Sequence, residues 1–78
     1  MQTYIIIDKI EQQEFNAAIR HATAMLVKHD CTEVVVASNY SEEPYFMQAT
    51  KLCSMSMHDN TLQRTYNTSA LERHGIVY

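Results

Sequence analysis

The chain has 78 residues, 46% of them hydrophobic and 19% charged, with one Gly and one Pro. That excludes a low-complexity or disordered chain and fits a single domain over residues 1–78 with a thin stability margin, since so small a domain buries only about 60% of its unfolded surface. The net charge of −3 is uneven: residues 1–43 carry three Lys or Arg against seven Asp or Glu, and residues 44–78 carry three against two. No Lys/Arg cluster marks a nucleic-acid surface.

The start of the chain carries no basic segment followed by a long apolar one, and no apolar run approaches the length of a membrane span. No export signal, no membrane contact and a cytoplasmic location are therefore expected. Cys31 and Cys53 are expected to be reduced thiols.

Tyr4-Ile5-Ile6-Ile7 reads as the first strand. Asp8 and Glu11 have the spacing of a capping box, opening a helix from Lys9 or Glu11 to Lys28. Phe15, Ala18, Ile19, Ala22, Met25 and Leu26 recur in steps of three and four, which draws one apolar stripe on that helix. Lys28 and His29 suit its C-terminal dipole. After Asp30-Cys31-Thr32 comes Val34-Val35-Val36-Ala37, four small or branched apolar residues without polar alternation. Such a strand expects cover on both faces. Strand, long helix, strand predicts a right-handed βαβ unit with parallel strands.

Ser41 reads as a second N-cap, with Glu42, Glu43 and Pro44 in the first turn of a helix reaching Met57. Its stripe is Tyr45, Phe46, Ala49, Leu52, Cys53 and Ser56. Thr61–Tyr66 alternates like an edge strand, with Leu62 and Tyr66 on one face. The rival reading is one helix over 61–74, but Asn67-Thr68-Ser69 prefers caps and turns. Ser69 and Glu72 predict a short helix through His74 with Gly75 as its terminating residue, then a last strand at Ile76–Tyr78. The expected fold is a small βαβ-based α/β domain: a mostly parallel three- to four-stranded sheet, two main helices on one face and one short C-terminal helix.

Functional motifs are sparse. The one glycine, Gly75, lies away from the strand ends where parallel α/β sheets bind ligands, and acidic residues occupy the predicted helix N-termini. Nucleotide binding is thereby excluded and no cofactor is expected. His29, Cys31, Cys53 and His58 form the alternative group, for a metal-assisted or thiol enzyme, but their spacing matches no zinc motif. Leu71-Glu72-Arg73-His74-Gly75-Ile76-Val77 resembles the helix-to-strand turn that closes GNAT acetyltransferases, over seven residues. That family's acetyl-CoA loop pattern has no counterpart here, and the resemblance assigns no residue a role.

Runs of branched aliphatics need more shelter than two or three helices supply, so an exposed apolar patch serving as an interface is expected, with a homodimer as the simplest outcome. The function that follows is non-enzymatic binding of another protein. Small inhibitors and adaptors carried by phages and plasmids, anti-CRISPR proteins included, have this size and this lack of cofactor motifs. Glu11, Glu14, Glu42 and Glu43, with the turn residues Ser38, Asn39 and Tyr40, are the candidate contacts for a basic partner. A purely self-assembling subunit is the other alternative.

Overall fold

The computed structural model describes residues 2–29, 31–39 and 50–78. The elements run β1 (Gln2–Ile7), α1 (Gln12–Lys28), β2 (Glu33–Ser38), β3 (Thr50–His58), β4 (Thr61–Tyr66) and α2 (Thr68–Arg73). They form a four-stranded sheet in the order β1-β2-β3-β4. β1 and β2 are parallel, whereas β2–β3 and β3–β4 are antiparallel. The sheet is thus mixed, which corrects the expectation of a mostly parallel one.

The correction comes from residues 50–58. The helix expected to reach Met57 is strand β3 over this stretch; its first part, 41–49, lies outside the described residues. Cys53, Met55 and Met57 alternate with Ser54 and Ser56, a period of two. Asp59 and Asn60 then take φ of 50° and 63°. Two successive left-handed residues form the two-residue turn whose twist suits a hairpin, and Asp and Asn tolerate that conformation best after Gly. His58 accordingly faces Thr61 across the turn.

α1 follows its predicted stripe: Phe15, Ala18, Ala22 and Leu26 are buried, and Ile19 and Met25 pack partly buried against the same core. Its start differs from the expected capping box. Glu11 is the N-cap without a side-chain cap bond, and the Glu14 carboxylate instead accepts from the Lys9 N–H at 3.0 Å. His29 closes the helix as expected, its N–H donating to Met25 O.

β2 is the centre of the molecule. Val34, Val35, Val36 and Ala37 are all buried, so both faces of the strand are dry. Val34 and Val36 join α1, Cys53, Met55 and Leu71 in the core cluster. Val36 pairs with Cys53 but Ala37 pairs with Lys51, so Leu52 is an extra residue, a β-bulge. Leu52 and Cys53 are both buried in the same core cluster.

The bulge is fastened by Asn67. Its N–H donates to Leu52 O at 2.9 Å, and its side-chain amide donates to Lys51 O at 2.7 Å. The same side chain caps α2, accepting from the Ala70 N–H. Asn67 rather than Ser69 is therefore the cap of the short helix: an Asn one residue before the helix can bond both the helix and the strand behind it.

α2 ends as Gly75 predicts. Gly75 has φ +68°, its N–H donates to Glu72 O, and the Ile76 N–H donates back to Leu71 O. This is a Schellman closure, with Leu71 and Ile76 meeting in the core. The expected strand at Ile76–Tyr78 does not form. The Val77 main chain is taken up by the side chain of Gln12, which serves where a strand neighbour would.

Candidate binding surfaces

Two surfaces stand out, one at each edge of the sheet. The first is β1. The N–H of Asn39 donates to Ile7 O, so the main-chain groups of Ile7 point toward β2 and those of Ile6 point to the outer side of β1, where no further strand pairs among the described residues. On the face away from α1, Tyr4 and Ile6 are 47% and 44% exposed. The sequence Gln-Thr-Tyr-Ile-Ile-Ile has no charge, no proline and no glycine. The opposite edge, β4, reads Thr-Leu-Gln-Arg-Thr-Tyr and carries Arg64.

The second surface is a groove on the helix side of β4. α1 packs over β1, β2 and β3. Leu62, Arg64 and Tyr66 of β4 pair with Met57, Met55 and Cys53 and share their face. Between this outer strand and α1 lies a groove of about 340 Å³. Phe15, Ile19 and Arg20 line it from the helix, and Arg64 and Tyr66 from the strand. Val77 and Tyr78 close it, with the Tyr66 and Tyr78 rings 4.9 Å apart at centroids and tilted by 32°. Among the described residues neither arginine has a carboxylate within ion-pair distance.

Two groups here have shifted titration. Burial pushes the Cys53 thiol up to about 11, partly offset by the positive charge of Arg64. The Tyr78 phenol is also raised, first by desolvation and then by the charge of Glu72 and its hydrogen bond to that carboxylate.

The residues expected to contact a partner are scattered. Glu11 is exposed beside Lys9, Ile10 and His74 around a hollow of about 360 Å³. Glu14 is engaged in the turn before α1. Ser38 is fully buried, its hydroxyl donating to Asp8 O at 3.4 Å, and so presents no surface. Asn39 is exposed next to it. Tyr40, Glu42 and Glu43 lie outside the described residues.

The thiol and histidine group of the enzyme alternative, His29, Cys31, Cys53 and His58, is not gathered into a metal cluster. No cluster of three or more His, Cys, Asp or Glu able to hold a metal ion occurs among the described residues. Five residues along a helix would have set Cys53 and His58 about 7.5 Å apart, but five along a strand set them about 16 Å apart. Cys53 is buried and Cys31 half-buried, both as free thiols. Cys31 lines a separate cleft of about 570 Å³ with Leu26, Val27 and Met57. Among the described residues no helix is long and apolar enough to cross a membrane.

Arg20, Arg64 and Tyr78 did not figure among the expected site residues. The alternation that places Leu62 and Tyr66 on one face places Arg64 between them, and that was the available signal. No family model, curated protein or solved structure matches the chain.

Proposed function

We propose that this chain is a non-enzymatic protein-binding domain that works through the β1 edge, and that its first partner there is a second copy of itself. The observation that carries the reading is the contrast between the two edges. An edge strand offers a row of main-chain donors and acceptors to any passing strand, and folded proteins guard such edges with charge, proline or a bulge. β4 has Arg64; β1 has none of these, and Ile6 adds an exposed branched side chain beside it.

A two-fold axis perpendicular to the sheet near Ile5 or Ile6 would pair β1 antiparallel with its symmetry mate. The sheet would then run through eight strands, with Ile6 of each copy shielded against the outer face of the other. The contact is small, so association in the micromolar range is expected rather than an obligate dimer.

Sedimentation velocity across the micromolar range tests this. The expected result is a monomer–dimer equilibrium that moves with concentration, and a monomer at every concentration for Ile6→Lys with an unchanged circular dichroism spectrum. A wild-type chain that stays monomeric throughout, or an Ile6→Lys chain that still dimerises, overturns the assignment of the β1 edge.

A further inference from the structure

We propose that the groove between α1 and β4 is a binding site for a small organic oxyanion, a carboxylate or phosphate carried on a flat apolar body. Two of the chain's six Lys and Arg residues line this one groove, in a protein whose net charge is −3. They come from opposite walls, Arg20 from the helix and Arg64 from the strand, and among the described residues neither is spent on an ion pair. A guanidinium fork matches the two oxygens of a carboxylate or phosphate, and two forks facing one space can hold one head group from both sides.

The rest of the lining suits the body of such a molecule rather than another charge. Phe15 is buried beneath the groove, and Ile19 and Tyr66 are partly buried against the core. Among the described residues no Asp or Glu side chain lines it. Its volume of about 340 Å³ is at the lower end of small-molecule sites, which run from roughly 300 to 1,000 Å³. The closing wall is held in place: Val77 is bonded through both its N–H and its carbonyl to Gln12, and the Tyr78 ring rests against Tyr66. Such a wall has little ordering left to do when a ligand arrives, which favours binding.

The site is independent of the β1 edge, which lies three strands away. Loss of dimerisation in Ile6→Lys therefore leaves this proposal standing, and the monomeric variant serves as a second host for the titration.

Amide-correlation NMR with three probes decides it: 3-phenylpropionate, phenyl phosphate and the neutral 3-phenylpropionamide. The expected result is saturable shifts at Ile19, Arg20, Arg64, Tyr66 and Tyr78 with one or both anions, and binding of the amide weaker by about tenfold or more. The tighter anion names the head group. Arg64→Gln and Arg20→Gln, both at exposed positions, are each expected to weaken anion binding by about fivefold or more while the remaining resonances stay in place. Absence of saturable shifts with both anions, equal affinity for the amide, or unchanged affinity in both arginine variants overturns the proposal.

Discussion

Gln12 and Val77 exchange two hydrogen bonds: the Gln12 side chain donates to the Val77 carbonyl at 2.8 Å and accepts from the Val77 N–H at 2.7 Å. One side-chain amide thus satisfies both the main-chain donor and the main-chain acceptor of a residue 65 positions away. The same amide nitrogen also reaches Asn16 Oδ1 at 3.0 Å. The pair joins the first turn of α1 to the segment after α2, and it fixes the wall of the groove between α1 and β4.

Replacement of Gln12 by alanine removes both bonds and leaves the Val77 groups to water. Each neutral bond is worth about 0.5–1.5 kcal/mol net, and solvent access keeps the sum near the low end, so a loss of about 1 kcal/mol is expected in urea unfolding. The more specific readout is amide hydrogen exchange. Val77 should lose its protection in Gln12→Ala while Val34 and Val36 in the buried centre keep theirs. Retained protection at Val77 would mean that the tail is held by something other than this side chain.

Asn67 has the larger task, since it meets α2 and the Leu52 bulge together. Asn67→Ala keeps the main-chain bond to Leu52 O but loses the cap on Ala70 and the donor to Lys51 O. Cap removal costs about 1 kcal/mol and the second bond about as much again at most, so a destabilisation of about 1–2 kcal/mol is expected from denaturant titration. A change well below that range would show that the bulge and α2 hold together without the side chain.

The bulge also explains which parts of the fold were legible in the sequence. The runs Tyr4–Ile7 and Val34–Ala37, the Phe15–Leu26 stripe and the stop at Gly75 each carry a local pattern with one structural solution, and the alternation of Thr61–Tyr66, with the turn formers Asn67-Thr68-Ser69 after it, outweighs the rival helix. Residues 50–57 do not. The bulge sets the neighbours Leu52 and Cys53 into one core, which breaks the period of two and, with Ala49 and Ser56 around them, imitates a helical stripe. The turn residues Asp59 and Asn60 held the competing signal, since a strand ending there could double back at once. The last three residues misled for another reason: Ile76-Val77-Tyr78 has strand composition, but its partner is a glutamine side chain, which no local pattern announces. The groove is a tertiary product, because Arg20 and Arg64 come to line one space only when α1 packs over β1, β2 and β3 and leaves β4 beside it.

Cys53 gives the fold a pH-dependent contribution whose sign is fixed by burial. Its thiol ionises near 11 in the folded chain against an ordinary 9.0 when unfolded. Above pH 9 the unfolded chain gives up this proton and the folded chain keeps it, so the unfolded state binds fewer protons and stability falls as pH rises toward 11. Cys53→Ala should be less stable at pH 7 because of the lost packing, yet show a shallower decline between pH 9 and 11 than wild type. Alkylation at pH 8 should label half-buried Cys31 readily and reach buried Cys53 only on unfolding. Equal labelling of both thiols in the folded protein would place Cys53 within reach of solvent and remove the basis for the pH effect.

Tyr78 offers a spectroscopic reading of the groove wall. Its phenol is held above the ordinary value of 10.0 by desolvation and by the neighbouring Glu72, whose negative charge opposes a phenolate and whose carboxylate accepts the phenol's hydrogen bond. Glu72→Gln removes the charge and replaces a charged acceptor with a neutral one. The Tyr78 pKa should therefore fall toward 10.0. A phenolate absorbance titration, with Tyr78→Phe to identify the component, measures the shift. If Glu72→Gln leaves that component unmoved, the carboxylate does not sit against the ring, and the wall that Tyr78 forms beside Tyr66 must be anchored by Gln12 alone.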